Sequence, residues 1–221
     1  MIPLGDASRR TVSFPIVTAG LICVNALVFV LELIGGDDFV NAYSMVPADV
    51  VSGRHLYTVL TSMFMHAGWE HIIGNMVFLW AFGPEVEDAM SGARYLIFYV
   101  LGGLASSAAE IAIDPGSTIP SLGASGAIAA VMGAFVITYP RDQIKSVLMI
   151  GWFARVTLVP ALVFIGVWFL MQLFSEVGTV AGVASDGVAY MAHIGGIVFG
   201  AATARLFEWD GGRASTGYSN E

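Results

Sequence analysis

The chain has 221 residues, of which 57% are hydrophobic and only 12% charged, whereas a soluble domain is about half apolar and about a quarter charged. A soluble globule is therefore excluded as the first reading. The net charge of −8 comes from acids in loops and the tail and builds no basic face, so nucleic acid is excluded as a partner.

The apolar residues fall in blocks near the ~20 residues that a helix needs to cross ~30 Å of hydrocarbon. The first twelve residues form a polar segment containing Arg9 and Arg10. Ser13–Ile34 follows as the first predicted span, too long for a signal-peptide core and without a small-residue cleavage site. Its Cys23 is the single cysteine, a small core residue that offers no disulfide framework. The connection 35–68 carries Val50, Leu56, Tyr57, Leu60, Met63 and Phe64, apolar enough to lie in the interface as a structured outer loop. Trp69–Met90 is the second span and the weakest. Its purely apolar part, Ile72–Phe82, is short and Gly83-Pro84 follows directly, so a re-entrant or interfacial segment stays open.

Arg94–Ile113, Ser121–Tyr139, Val156–Phe174 and Gly187–Phe207 complete six spans. The chain reads as an all-α membrane protein with one integral domain over 13–208 and a polar tail over 209–221. Six crossings put Arg9, Arg10, Arg94, Arg141, Lys145, Arg155, Arg205 and Arg213 on one side and Arg54 opposite, eight against one. The positive-inside rule then places both termini in the cytoplasm; if the second block did not cross, the best division would be seven against two. The lack of a recognisable transit peptide, with the compact size and short termini, suggests a prokaryotic plasma membrane.

Strongly polar side chains inside spans are functional-site candidates by default. His71, Asn75, Ser125 and His193 are the ones that stand out. Taken singly, each has a structural explanation: Ser125 between glycines suits close helix packing, and His193 beside Gly195, Gly196 and Gly200 suits a hydrogen bond to a neighbouring helix. Topology changes the weighting. With the amino terminus inside, spans two, four and six all enter from the outer face. Ser125 and His193 then lie roughly 6–9 Å below the outer boundary, with His71 at a similar level and Asn75 one turn deeper.

His71 and Asn75, four apart, share a helix face. His66 lies about 140° from His71 on a straight helix, which makes a zinc site of the His-x4-His kind poor. The chemistry available is acyl transfer: a serine hydroxyl is a weak nucleophile until a base such as His193 takes its proton. Side chains such as those of His71 and Asn75, with backbone N–H groups, can stabilise the oxyanion. A position early in its helix gives Ser125 the favourable end of the dipole. No acidic residue is placed by the sequence to orient His193, so the expectation is a dyad that needs no metal and no organic cofactor. Gly123-Ala124-Ser125-Gly126 is not the nucleophile elbow of soluble hydrolases, since position 127 is alanine.

From about Leu56 to Gly200 the sequence resembles the rhomboid intramembrane proteases. The resemblance rests on Thr61-Ser62-Met63-Phe64-Met65-His66, His71 through Asn75, Gly123-Ala124-Ser125-Gly126, and Ala192-His193-Ile194-Gly195-Gly196. It implies a six-helix bundle in which Ser125 is the nucleophile and His193 the general base. His71, Asn75 and the Ser125 N–H would be the oxyanion donors, His66 a structural residue, and Gly123, Gly126 and Gly196 supporting positions. It also implies that Phe164, Trp168 and Phe169 of the fifth span and the loop 175–186 gate the site. The implied partners are the lipid bilayer and the transmembrane helices of protein substrates, cut in or near the membrane.

Two departures stand out. Well-studied members carry a Trp-Arg pair where Tyr57-Thr58 stands here, and an aromatic ring under the catalytic histidine where Ala129 stands, so the orientation of His193 has to come from elsewhere. The rival readings are an inactive relative that binds and escorts membrane helices, which the intact Ser125 and His193 disfavour, and a small transporter, which the outer-layer placement of the polar residues disfavours.

Overall fold

The computed structural model describes residues 1–150, 153–180 and 190–209, with backbone only at 150 and 172–180. Among these residues a helix stands at each of the six predicted segments. They are α1 (Ile16–Tyr43), α4 (Trp69–Met90), α5 (Gly92–Ile113), α6 (Ser125–Thr138), α7 (Ala161–Val180) and α8 (Tyr190–Phe207). By length and apolar composition alone, Ile16–Tyr43 and Gly92–Ile113 are long and apolar enough to cross a membrane.

The all-α expectation is corrected by a three-stranded antiparallel sheet. Strands β1 (Ile2–Asp6), β2 (Gln143–Ile150) and β3 (Phe153–Pro160) pair in that order. The predicted fifth span began at Val156, but Val156 to Pro160 belong to β3 and the helix starts at Ala161. The cause is local: the stretch is rich in β-branched residues and ends on a proline, and a short apolar run reads alike as strand or helix. The polar N-terminal segment likewise holds β1, which pairs with β2 through a bulge near Gly5.

Arg9 pins this sheet. Its guanidinium forms a two-pronged ion pair with the buried Asp142 and lies 3.9 Å from the centre of the Tyr139 ring. The hydrogen bond to Asp142 raises the Arg9 pKa. Burial, with Asp142 alongside, pushes the Asp6 carboxyl up from 3.8 to about 7. An acid whose folded pKa lies above its unfolded value holds its proton more tightly in the fold. Its contribution is therefore complete below about 3.8 and lost as pH rises through about 7. Asp6→Asn is expected to remove a fall in thermal stability between those limits; melting curves of both chains across that range check it, and an unchanged slope would assign it to another group.

α1 runs past its predicted end at Ile34 to Tyr43, with a break at Gly36 (φ 58°, ψ −150°) that a glycine accommodates. The connection that follows is folded. It holds α2 (Pro47–Val51), α3 (Thr58–Thr61) and a 3₁₀ turn at Ser62–Phe64. The Tyr57 hydroxyl donates to Ala42 O at 2.9 Å and Thr61 Oγ1 to Tyr43 O at 2.7 Å, tying this stretch to the end of α1.

α4 covers the predicted Trp69–Met90 segment without a break at Gly83-Pro84, running through Pro84 to Met90. Its 22 residues would span about 33 Å at 1.5 Å each. Tertiary packing overrides the proline: Phe82 through Glu87 are buried, and Glu87 caps α1 across the chain. Its carboxylate accepts from Val17 N (2.9 Å), Thr18 N (2.8 Å) and Thr18 Oγ1 (2.8 Å). That answers the bare amides of a helix start, where negative charge is favourable.

α6 lies in the centre, with Gly126 through Phe135 all buried. It meets α8 backbone to backbone: a methyl built at Gly196 would lie 2.2 Å from Gly126 O, and one at Gly200 1.9 Å from Ala130 O. In lipid, where helices gain little from hydrophobic burial, such close approach between small residues supplies the packing.

Candidate active site

Ser125 is the first residue of α6 and His193 lies in the first turn of α8. The α6–α8 seam brings these two ends together, and His193 Nε2 stands 2.7 Å from Ser125 Oγ. With neutral imidazole bearing its proton on Nδ1, the hydroxyl donates and Nε2 accepts, the arrangement a general base requires. His193 is buried and Ser125 partly open.

His71, at the start of α4, faces the same point. Ala67 N–H donates to its Nδ1 at 3.3 Å, which leaves the proton of the neutral ring on Nε2. Gly123 separates that nitrogen from the serine. A methyl built at Gly123 would lie 3.0 Å from His71 Nε2 and 3.5 Å from Ser125 Oγ. The missing side chain thus opens a volume flanked by both groups, and the φ of +144° favours glycine there too. Asn75, one turn on, is buried, and its amide nitrogen has no hydrogen-bond partner among the described residues.

His66 precedes α4, so the straight-helix angle drawn to His71 does not apply. The two rings meet edge to face at 5.1 Å. Its backbone N–H donates to both oxygens of Glu32 at 3.1 Å. Burial, with His71 adjacent, holds its imidazole at about 4, hence neutral at physiological pH.

Gly126 gives room to Ser106: a methyl there would lie 1.9 Å from Ser106 Oγ, which itself donates to Ala192 O at 2.7 Å, next to His193. Beside Ser125 opens a polar cavity whose wall includes Ser62, Ser106, Ser107, Glu110 and Ser121. Sequence reasoning passed over the α5 members of this wall, Ser106, Ser107 and Glu110. The criterion that singled out Ser125, a polar group within an apolar span, applies equally to Glu110 and would have found it. Ser121 Oγ donates to Glu110 Oε2 at 2.9 Å.

The expected gate residues are placed unequally. Phe164 is buried, its ring 6.1 Å from Phe78 and 5.8 Å from Phe82. Trp168 lies 6.4 Å from Phe78 and 5.5 Å from His193, and Phe169 is half-buried against the core. Of the loop expected over 175–186, residues 175–180 are helical, a correction, since α7 carries on to Val180. The remainder, with the start of the sixth predicted span at 187–189 and the tail from 210, lies outside the described residues.

Residues 53–209 match the Rhomboid domain family. The chain is 30% identical over 142 residues to RHOMBOID-like protein 12, mitochondrial, of Arabidopsis thaliana, covering 57% of this chain and 42% of that protein. It is 31% identical over 111 residues to Rhomboid protease GluP of Bacillus subtilis (49% and 21%), and 34% identical over 90 residues to Rhomboid-related protein 2 of Mus musculus (39% and 29%). The matched regions thus amount to less than half the length of each of these relatives. With the family model covering most of the sequence, from the folded connection to the end of α8, the chain belongs to the rhomboid family of integral membrane proteins.

Proposed function

We propose that the protein is an intramembrane serine endopeptidase that cuts a peptide bond in or near the transmembrane helix of a client protein. The observation that carries this is the 2.7 Å contact between Ser125 Oγ and His193 Nε2 at the open end of a helix seam. Ser125 attacks the carbonyl carbon, His193 takes its proton and returns it to the leaving amine, and water then releases the acyl group by the same route. The oxyanion occupies the space beside Gly123, with His71 Nε2–H and the Ser125 amide as donors and Asn75 as a third. The name of the Bacillus relative, a protease, agrees with this reading. Six membrane crossings, both termini in the cytoplasm and a prokaryotic plasma membrane belong to the same proposal. The first two rest on the division of the basic residues; relatives with mitochondrial names leave the membrane to be determined by fractionation.

The test is cleavage of a single-span helix by purified protein in detergent. A product band from the wild type that Ser125→Ala lacks supports the reading. Binding without product moves the protein to the escort class. Within this mechanism, His71→Ala and Asn75→Ala each lower kcat by roughly 10²-fold with KM nearly unchanged, as expected for donors that act on developing charge. A rise in KM alone would make them substrate-binding residues instead.

A further inference from the structure

The imidazole of a histidine turns on a broad, roughly two-fold torsion, so a base that has to present Nε2 to Ser125 needs its ring plane fixed by packing. On α6 the residue one turn beyond Ser125 is Ala129, fully buried, which meets α8 near Gly196 and offers only a methyl group. A ring from α7 reaches His193. The Trp168 indole lies 5.5 Å from the imidazole at 45°, and it also meets Phe78 of α4, at 6.4 Å, three residues past Asn75. A run of three rings thus joins α4, α7 and α8 and ends on the base.

We propose that Trp168 is a positioning residue that sets the ring plane of His193, so that the dyad is assembled by three helices rather than two. The effect on catalysis rests on the protease reading above; the ring contact itself does not. α7 turns Leu162, Val163, Val167, Leu170 and Met171 outward, and the Phe164 and Trp168 side chains hold it to α4 through Phe78.

The experiment compares wild type, Trp168→Phe and Trp168→Leu in detergent, matched by melting temperature. It reads the rate at which a small fluorophosphonate labels Ser125, together with kcat and KM for a single-span helix. The probe needs no helix-sized entrance, so a residue that only gates leaves labelling unchanged or faster. The expected result is labelling and kcat down ten- to a hundredfold in Trp168→Leu, the scale of a small misplacement of a reacting group, with KM little changed and Trp168→Phe near wild type. Equal labelling of wild type and Trp168→Leu overturns the proposal, as does an equal loss in both variants, which would report lost volume. A second measurement does not depend on any variant folding: wild-type protein, with four histidines, should show a nuclear Overhauser contact between the Trp168 indole and His193 imidazole protons. Its absence overturns the proposal, whereas a wild type that shows the contact but takes no probe overturns the protease reading and leaves the packing intact.

Discussion

Ser125→Ala and His193→Ala are each expected to lower kcat/KM for a single-span client by at least ~10⁴-fold, about 5.4 kcal/mol of transition-state stabilisation. Neither residue works alone. Without His193 the hydroxyl keeps its proton, and without Ser125 the imidazole has no attacking oxygen to relieve. Groups that act as one unit are not additive, so the double variant should fall no further than the worse single one. Both single variants should still bind the client helix, since neither replacement enlarges a side chain. Cleavage rates and helix binding of the four proteins, measured side by side, check this; a His193→Ala protein that keeps a tenth of wild-type activity would exclude His193 as the base.

The second large effect is on the fold. Gly200→Val and Gly196→Val put carbon atoms where the Ala130 and Gly126 carbonyl oxygens already stand, 1.9 and 2.2 Å from the first added atom. These are main-chain atoms, so no side chain can swing aside and the helices have to separate. A loss of about 3 kcal/mol or more is expected, at or above the usual range for overpacking, and with it goes the 2.7 Å contact at the end of the seam. The contrast is Gly20 in α1, where an added methyl meets nothing within 4 Å. Gly20→Ala should be neutral or stabilise by up to about 1 kcal/mol. Melting temperatures of the three variants decide the matter, and a Gly200→Val protein that melts with the wild type would mean that the seam is looser than its geometry.

The helical frame was legible because a helix stands at each of the six apolar blocks, two of them long and apolar enough to cross a membrane. The candidate site was legible because His71, Asn75, Ser125 and His193 are polar where polarity is costly, and the starts of α4, α6 and α8 come together. What stayed hidden has physical causes of three kinds. Strands β2 and β3 lie between charged residues and an apolar run, where periodicity alone does not tell strand from helix. The capping of α1 by Glu87 joins residues 69 and 70 positions apart, which no local pattern pairs. The ring contact of Trp168 with His193 joins residues far apart in sequence, and no spacing rule reaches that far. Tyr57, one of the two departures from the family pattern, finds its explanation in the structure: its hydroxyl anchors the folded connection to Ala42 O.

Glu87 also bears on the order in which the chain is made. The amides of Val17 and Thr18 belong to a helix made before α4, and their acceptor lies 70 and 69 residues later. The first turn of α1 therefore gains this acceptor only after α4 has been synthesised and has docked. A chain arrested before residue 87 would carry an α1 whose first turn is not yet fastened.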